Sequence, residues 1–246
     1  MQCLILAGGL GTRMRAFGGG TPKALLPAGP HTFIDWQLQF LEVLGVKKVV
    51  MALGHDGQTI EKHIENHRRT LAYPSLTYSY DSRDSKLLGT GGAIKNASKL
   101  LDKEFLVIYG DSFLFIKLDD FERTHRQGGL PLTLSIFKNR DQGDKSNVVF
   151  KNGSLLKYDK KRPDPEMEYI DYGLSFLNRD YFLRHTPDGI FDFADFISET
   201  VEKKLATPYV AKTMFHEVGS PEGYSRFLDL LKENNFSLEK LKLSVQ

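Results

Sequence analysis

The first thirteen residues constrain the chain most. Gln2-Cys3-Leu4-Ile5-Leu6-Ala7 is an apolar run that ends in Gly8-Gly9-Leu10-Gly11-Thr12-Arg13. A short apolar run closed by glycine reads as a strand buried on both faces. The glycines let the backbone turn sharply and bring N–H groups close to a ligand. Successive N–H groups in such a turn form an anion-binding concavity. Arg13 adds a planar, permanently charged fork suited to phosphate. Lys23 follows inside Thr21-Pro22-Lys23-Ala24-Leu25-Leu26-Pro27, where two prolines stiffen the backbone around a cation. Leu6, Ala7, Gly8, Gly9, Gly11, Thr12, Arg13 and Lys23 are therefore the expected nucleotide-binding residues, with Arg13 and Lys23 as the catalytic charges. The chemistry such a site serves is transfer at phosphorus, where positioning and charge neutralisation do most of the work. Neither GxxxxGK[ST] nor GxGxxG occurs here, which disfavours a P-loop NTPase and a dinucleotide fingerprint.

The pattern after this strand alternates. Helical spacing over Phe33 to Leu44 stops at Gly45, and strands are expected at Lys48 to Leu53, Leu76 to Tyr80 and Glu104 to Tyr109. Helices are expected between them, over Gln58 to Arg68 and Gly91 to Leu101. Strands alternating with helices give an α/β fold, a three-layer Rossmann-like and mostly parallel sheet. The second half is richer in strands. Leu132 to Phe137 and Ile170 to Leu177 are candidates, and Asn152-Gly153 is a hairpin signal between Asn147 to Lys151 and Leu155 to Tyr158. Phe193 to Leu205 is amphipathic, Pro208 to Phe215 extended, and Pro221 to Asn234 a helix with proline at its start. The last ten or so residues are expected to dock or fray. With no Gly/Ser/Pro-rich linker, residues 1–246 read as one unit, a core over 1–140 with an appended β-rich lobe and closing helix over 141–234.

Composition narrows the partners. Lys plus Arg is 33 against 31 Asp plus Glu, a formal charge of +2, so a nucleic-acid partner is not expected. The one cysteine, Cys3, excludes an internal disulfide and a cysteine zinc site, and its place in a buried strand makes it inert. No apolar run approaches the roughly 20 residues that span a bilayer, and the N-terminus lacks a basic n-region. A cytoplasmic protein without a membrane partner is the expectation. Homo-oligomerisation is left open. His63 and His67 share helical spacing but lack a third ligand, so a solvated face is expected; Trp36 with Phe33 and Phe40 reads as core.

LAGGLGTRM followed by TPKALLP resembles the signature of the sugar-phosphate nucleotidyltransferases, the nucleoside-diphosphate-sugar pyrophosphorylases, which runs LxGGxGTRL and then PKxLxP. Further motifs recur in family order along essentially the whole chain. Leu88-Gly89-Thr90-Gly91-Gly92-Ala93 resembles the loop that lies against nucleotide base and sugar, which implies nucleotide contacts from Gly89 and Thr90 and a sugar contact from Gly92. Independently, this loop opens a helix, where backbone N–H groups are available. Tyr109-Gly110-Asp111 ends a buried strand at the ligand crevice. The resemblance implies that Asp111 is a metal carboxylate. His216-Glu217-Val218-Gly219-Ser220-Pro221-Glu222 resembles the segment carrying the second one, with Glu217 where the family has Asp.

On the sugar side, Asp171 stands where the family has Asn, two before Gly173. In the stretch resembling F-x-E-K-P, Lys161 matches the lysine that meets the sugar phosphate, and Lys160 replaces the usual Glu. Gly92, Lys161, Asp171 and Gly173 are thus the implied sugar-phosphate residues. The resemblance implies a Mg²⁺-dependent reaction of a nucleoside triphosphate with a sugar 1-phosphate, giving a nucleotide sugar and pyrophosphate. It also implies that the β-rich lobe binds the sugar. LGTGGAI points first to GTP with a heptose or hexose 1-phosphate, as in bacterial guanylyltransferases; UTP- or CTP-dependent enzymes are the alternative. The replacements at 160, 171 and 217 also motivate a catalytically inactive nucleotide-sugar sensor. A nicotinamide-dependent oxidoreductase would need an acidic ribose-binding residue after the second strand, where Leu53-Gly54-His55 offers none.

Overall fold

A computed structural model describes the chain except residues 10, 12, 13, 15, 16, 82–86, 140–143 and 246. Four parallel strands form the centre: β1 (Gln2–Ala7), β4 (Lys48–Leu53), β5 (Ser75–Tyr80) and β6 (Glu104–Tyr109); β2 (Pro27–Ala28) and β3 (His31–Thr32) pair with each other apart from it. The four run in the spatial order β5-β4-β1-β6. The register is continuous, with Leu4 opposite Val50 on one side and Val107 on the other. Successive strand residues point to opposite faces, and β1 shows the consequence. Leu4 and Leu6 join one buried cluster, Cys3 and Ile5 the other. Helices α1 (Phe33–Val43), α2 (Gly57–His67) and α4 (Leu118–Gly128) cover the second face, and α3 (Gly89–Ala97) and α6 (Phe193–Glu202) the first. This is the three-layer, Rossmann-like arrangement expected from the strand–helix alternation.

The β-rich half extends the same sheet. The ten-residue strand β11 (Tyr169–Asn178) lies antiparallel to β6 on one edge and to β8 (Leu132–Lys138) on the other. The hairpin of β9 (Val148–Lys151) and β10 (Ser154–Tyr158) turns at Asn152-Gly153, both at positive φ, and joins β11 at Tyr169. Strand β12 (Ala206–Val210) pairs parallel to β8 and tolerates Pro208 because, among the described residues, it pairs on one side only. Among the described residues these nine strands make one sheet.

Helices α3, α4 and α5 (Arg179–Arg184) depart from the expected pattern. The helix expected over 91–101 begins two residues earlier and ends at Ala97, giving way to a single 3₁₀ turn, Ser98–Leu100. Helix α4 lies in a stretch for which no element was expected. Its apolar stripe is only Leu118 and Phe121, with His125 completing it by stacking 4.3 Å from Phe176. Short α5 was likewise not anticipated. A third cluster lies at the other side of α1, where Phe33, Trp36 and Phe40 meet α7 (Pro221–Glu233) and the terminal α8 (Leu238–Leu243), so the C-terminus docks through buried Leu241. No described helix is long and apolar enough to cross a membrane.

Candidate active site

From β1 the chain builds β4 and β5 on one side and then returns to place β6 on the other, so the carboxyl end of β1 is a topological switch point, where open α/β sheets bind ligands. Gly8, Gly9 and Gly11 stand at that carboxyl edge. Gly54, following β4, comes so close to Gly8 that a Cβ on it would lie 2.3 Å from the Gly8 carbonyl oxygen. A Cβ on Gly9 would meet nothing within 4 Å among the described residues, and the nearest atoms to one on Gly11 belong to the stem of Lys23. Thr12 and Arg13 lie outside the described residues. Lys23 sits in a 3₁₀ turn, Lys23–Leu25, and its ammonium reaches across the crevice to Asp111 Oδ2 at 2.6 Å. Lys23 and Asp111, far apart in sequence, are thus brought together.

Asp111 is carried on the turn between β6 and β7 (Ser112–Phe113). β7 pairs antiparallel with β13 (His216–Glu217), setting Ser112 opposite Glu217, and the Val218 N–H donates to the Asp111 carbonyl at 2.9 Å. This two-stranded ribbon brings the second acidic residue beside the first. Glu217 folds back on the start of α7. Its Oε2 accepts from the N–H groups of Gly219 and Ser220, and its Oε1 from the Ser220 hydroxyl at 2.6 Å. A Cβ on Gly219 would stand 2.8 Å from Glu217 Oε2 and 3.2 Å from Asp111 Oδ2, so both carboxylates close in on the same glycine. Two carboxylates brought together on one ribbon are hard oxygen donors of the kind that suit a magnesium ion, which takes its remaining ligands from phosphate and water. No described group of three His, Cys, Asp or Glu side chains could hold a metal alone. Neighbouring His216 is held neutral, its pKa pushed down to about 4 by burial and then by Arg226.

Beyond the carboxylates opens a cavity of about 400 Å³, lined in part by Tyr109, Lys145, Lys160, Asp171 and Gly173. Its floor is an irregularity in β11. The β11–β8 register shifts between Asp171 and Ser175, Gly173 takes φ +93°, and Ser135 Oγ bridges the gap by donating to the Leu174 carbonyl at 2.6 Å. The shift turns the Asp171 carboxylate into the cavity wall, where it accepts from Gly173 N–H at 2.9 Å and Tyr158 hydroxyl at 3.0 Å. Lys160 Nζ lies 3.0 Å from Asp171 Oδ2 and 4.8 Å from the centre of the Tyr109 ring. Burial pushes the Lys160 pKa down, but Asp171 and the nearby tyrosines outweigh it and hold the ammonium well above the usual lysine value. Burial pushes the Tyr109 phenol up to about 12.

Here the arrangement departs from the expected sugar-phosphate set. Lys161 does not line the cavity; its Nζ pairs with Asp195 at 2.6 Å. β10 ends at Tyr158, and Asp159 then accepts from the N–H groups of Lys161 and Arg162. Within that turn Lys160 faces inward and Lys161 outward.

The Gly89–Gly92 loop holds a second correction. Its amides were expected to stand free at the start of a helix, but Gly91 and Gly92 donate to the Phe191 carbonyl at 3.1 and 3.3 Å. A Cβ on Gly89 would lie 2.4 Å from that carbonyl oxygen, one on Gly91 2.2 Å from the Phe191 ring, and one on Gly92 2.6 Å from the Gly189 carbonyl. Thr90 Oγ1 bonds Asp192 and accepts from the Phe193 N–H at 2.8 Å. The segment leading into α6 is packed directly onto this loop. One side chain was not singled out beforehand. Asp81, just past β5, accepts from the Leu88 N–H, and burial raises its pKa. Its Oδ2 would lie 3.2 Å from a Cβ on Gly8, so it ties the two glycine segments together. Its position one residue beyond a parallel strand was the available signal.

A family model described as nucleotidyl transferase matches residues 2–231. The chain is 26% identical over 228 residues to D-glycero-alpha-D-manno-heptose 1-phosphate guanylyltransferase of Campylobacter jejuni, covering 93% of this chain and 99% of that one. It is 25% identical to the protein of the same description from Aneurinibacillus thermoaerophilus, over 92% and 96% of the two chains. The crystal structure of HddC from Yersinia pseudotuberculosis shares the fold, with TM-score 0.79 and 23% identity over 94% of this chain and 99% of that one.

Proposed function

Because the chain belongs to the nucleotidyl transferase family, and so to the enzymes of nucleotidyl transfer, we propose that its acceptor is a sugar 1-phosphate. GTP with a heptose or hexose 1-phosphate is the first pairing, supported by what the two guanylyltransferase relatives act on. The observation that carries the reading is the contact of Lys23 with Asp111 at the switch-point crevice, beside Glu217 and opening onto a cavity floored by the Lys160–Asp171 pair.

An oxygen of the sugar phosphate attacks the α-phosphorus of the triphosphate. The new O–P bond forms as the bridging α–β bond breaks, and its electron pair leaves with pyrophosphate. A phosphate dianion is nucleophilic near neutral pH, so the barrier is the repulsion of two anions. Lys23 offsets part of that charge from a fixed position, and Arg13 is proposed to add to it. Mg²⁺, held by Asp111 and Glu217, would supply the remaining charge compensation. Lys160, rather than Lys161, is the lysine proposed to meet the acceptor, with Asp171 and Gly173 fixing its place.

Four nucleoside triphosphates set against a panel of sugar 1-phosphates, with pyrophosphate release as readout, test this. GTP with a heptose or hexose phosphate should release pyrophosphate, and EDTA should abolish it. Release from UTP or CTP instead would change the base and keep the reaction. Tight nucleotide binding with no release from any pair would make the chain a sensor and end the proposal.

A further inference from the structure

We propose that Gln37 is a positioning residue for Asp111. The inference rests on the reading of Asp111 as a metal ligand and adds what keeps that ligand in place. Tyr109-Gly110-Asp111-Ser112 is a tight connection between two strands, and a short turn holds its side chain only as well as its backbone is held. From one side it is held by β1: Gly110 N–H donates to the Leu6 carbonyl at 3.0 Å, and a Cβ there would lie 2.8 Å from that oxygen. From the other side it is held by α1. Gln37, 2% exposed, donates its side-chain amide to the Ser112 carbonyl at 2.6 Å and to the Tyr109 carbonyl at 3.1 Å. One NH₂ group thus bridges the carbonyls on either side of Asp111.

The orientation of that amide is fixed. Turned over, it would set Oε1 against two carbonyl oxygens. As it stands, Oε1 is buried without a partner among the described residues, which is costly for a polar atom. Phe40, Leu41, Ile108, Phe113 and Leu114 surround the same space, so packing alone would favour an apolar side chain. The two bonds to the turn are what the glutamine supplies. Side chains that orient a metal ligand typically change metal affinity by roughly 10–100-fold when lost.

The experiment uses Mn²⁺ as a paramagnetic probe, titrated with GTP into the wild-type chain and into Gln37→Met, Gln37→Asn and Asp111→Asn. Gln37→Met keeps the volume and removes both donors. It should weaken Mn²⁺ by about tenfold or more and lower kcat in step, with KM for GTP little changed because the glycine loop is untouched. Gln37→Asn keeps the amide one methylene short and should fall between. Wild-type Mn²⁺ affinity and kcat in Gln37→Met, whatever its melting temperature, would overturn the proposal and leave a packing role. If Gln37→Met fails to fold, unchanged Mn²⁺ affinity in Gln37→Asn overturns it equally. Asp111→Asn separates the premise: if it binds Mn²⁺ as the wild type does, the metal assignment is what fails, and the proposal with it.

Discussion

Gly8–Gly11 and Gly89–Gly92 look alike in the sequence, each following a parallel strand and each rich in glycine. The structure uses them in opposite ways. In the first, Gly9 faces open space among the described residues and Gly11 has the stem of Lys23 as its nearest neighbour. In the second, Gly89, Gly91 and Gly92 each make room for the chain's own segment around Gly189 and Phe191, and two amides are spent on one carbonyl. Missing side chains leave open space at Gly9 in one place and admit a neighbouring backbone in the other. Only the partner distinguishes the two.

Substitutions can break or sharpen that contrast. The largest effect is expected at the open loop's cation: Lys23→Ala should lower kcat by roughly 10²–10³ while leaving the fold intact, measured by pyrophosphate release beside thermal melting. Unchanged turnover would remove the phosphate role from the first loop. Next is Gly92→Ala, whose methyl would press on the Gly189 carbonyl; about 1–3 kcal/mol of stability should be lost in denaturant unfolding. Thr90→Val removes the hydroxyl that joins Asp192 and the Phe193 N–H, and should cost ~1 kcal/mol. A large loss of nucleotide affinity with no loss of stability in that variant would return Thr90 to the ligand. Smallest in stability is Gly9→Ala, within ~0.5 kcal/mol of wild type, yet KM for the nucleotide should rise because its phosphates need that space.

The same contrast shows where the sequence is informative. β1, β4 and β6 are legible because strands buried on both faces are apolar at every position after the first, and the turn after β1 carries Gly8, Gly9 and Gly11 at its edge. Lys23 and Asp111 could each be singled out for the same reason, since proline-flanked or strand-terminal charges leave a local mark. The ribbon of β7 and β13 leaves none: two residues per strand establish no period, so the closeness of Asp111 to Glu217 is implied by the family resemblance and by no local pattern. Lys160 and Lys161 are equally charged and adjacent; which faces inward is decided by the Asp159 turn, after strand alternation has ended. The packing of Phe191 on the second glycine segment joins residues about a hundred positions apart, beyond any local rule.

That ribbon also sets an order of events. It couples Ser112 to Glu217 through only two residues on each strand, so it has few contacts of its own and opens more easily than the central sheet. On the proposed function, a molecule whose ribbon has opened keeps the β5-β4-β1-β6 layer and the proposed triphosphate site while lacking one acidic arm. Turnover is then a stricter reporter of the native state than nucleotide retention. On a denaturant titration the gap between the two curves measures how far the ribbon frays before the sheet yields.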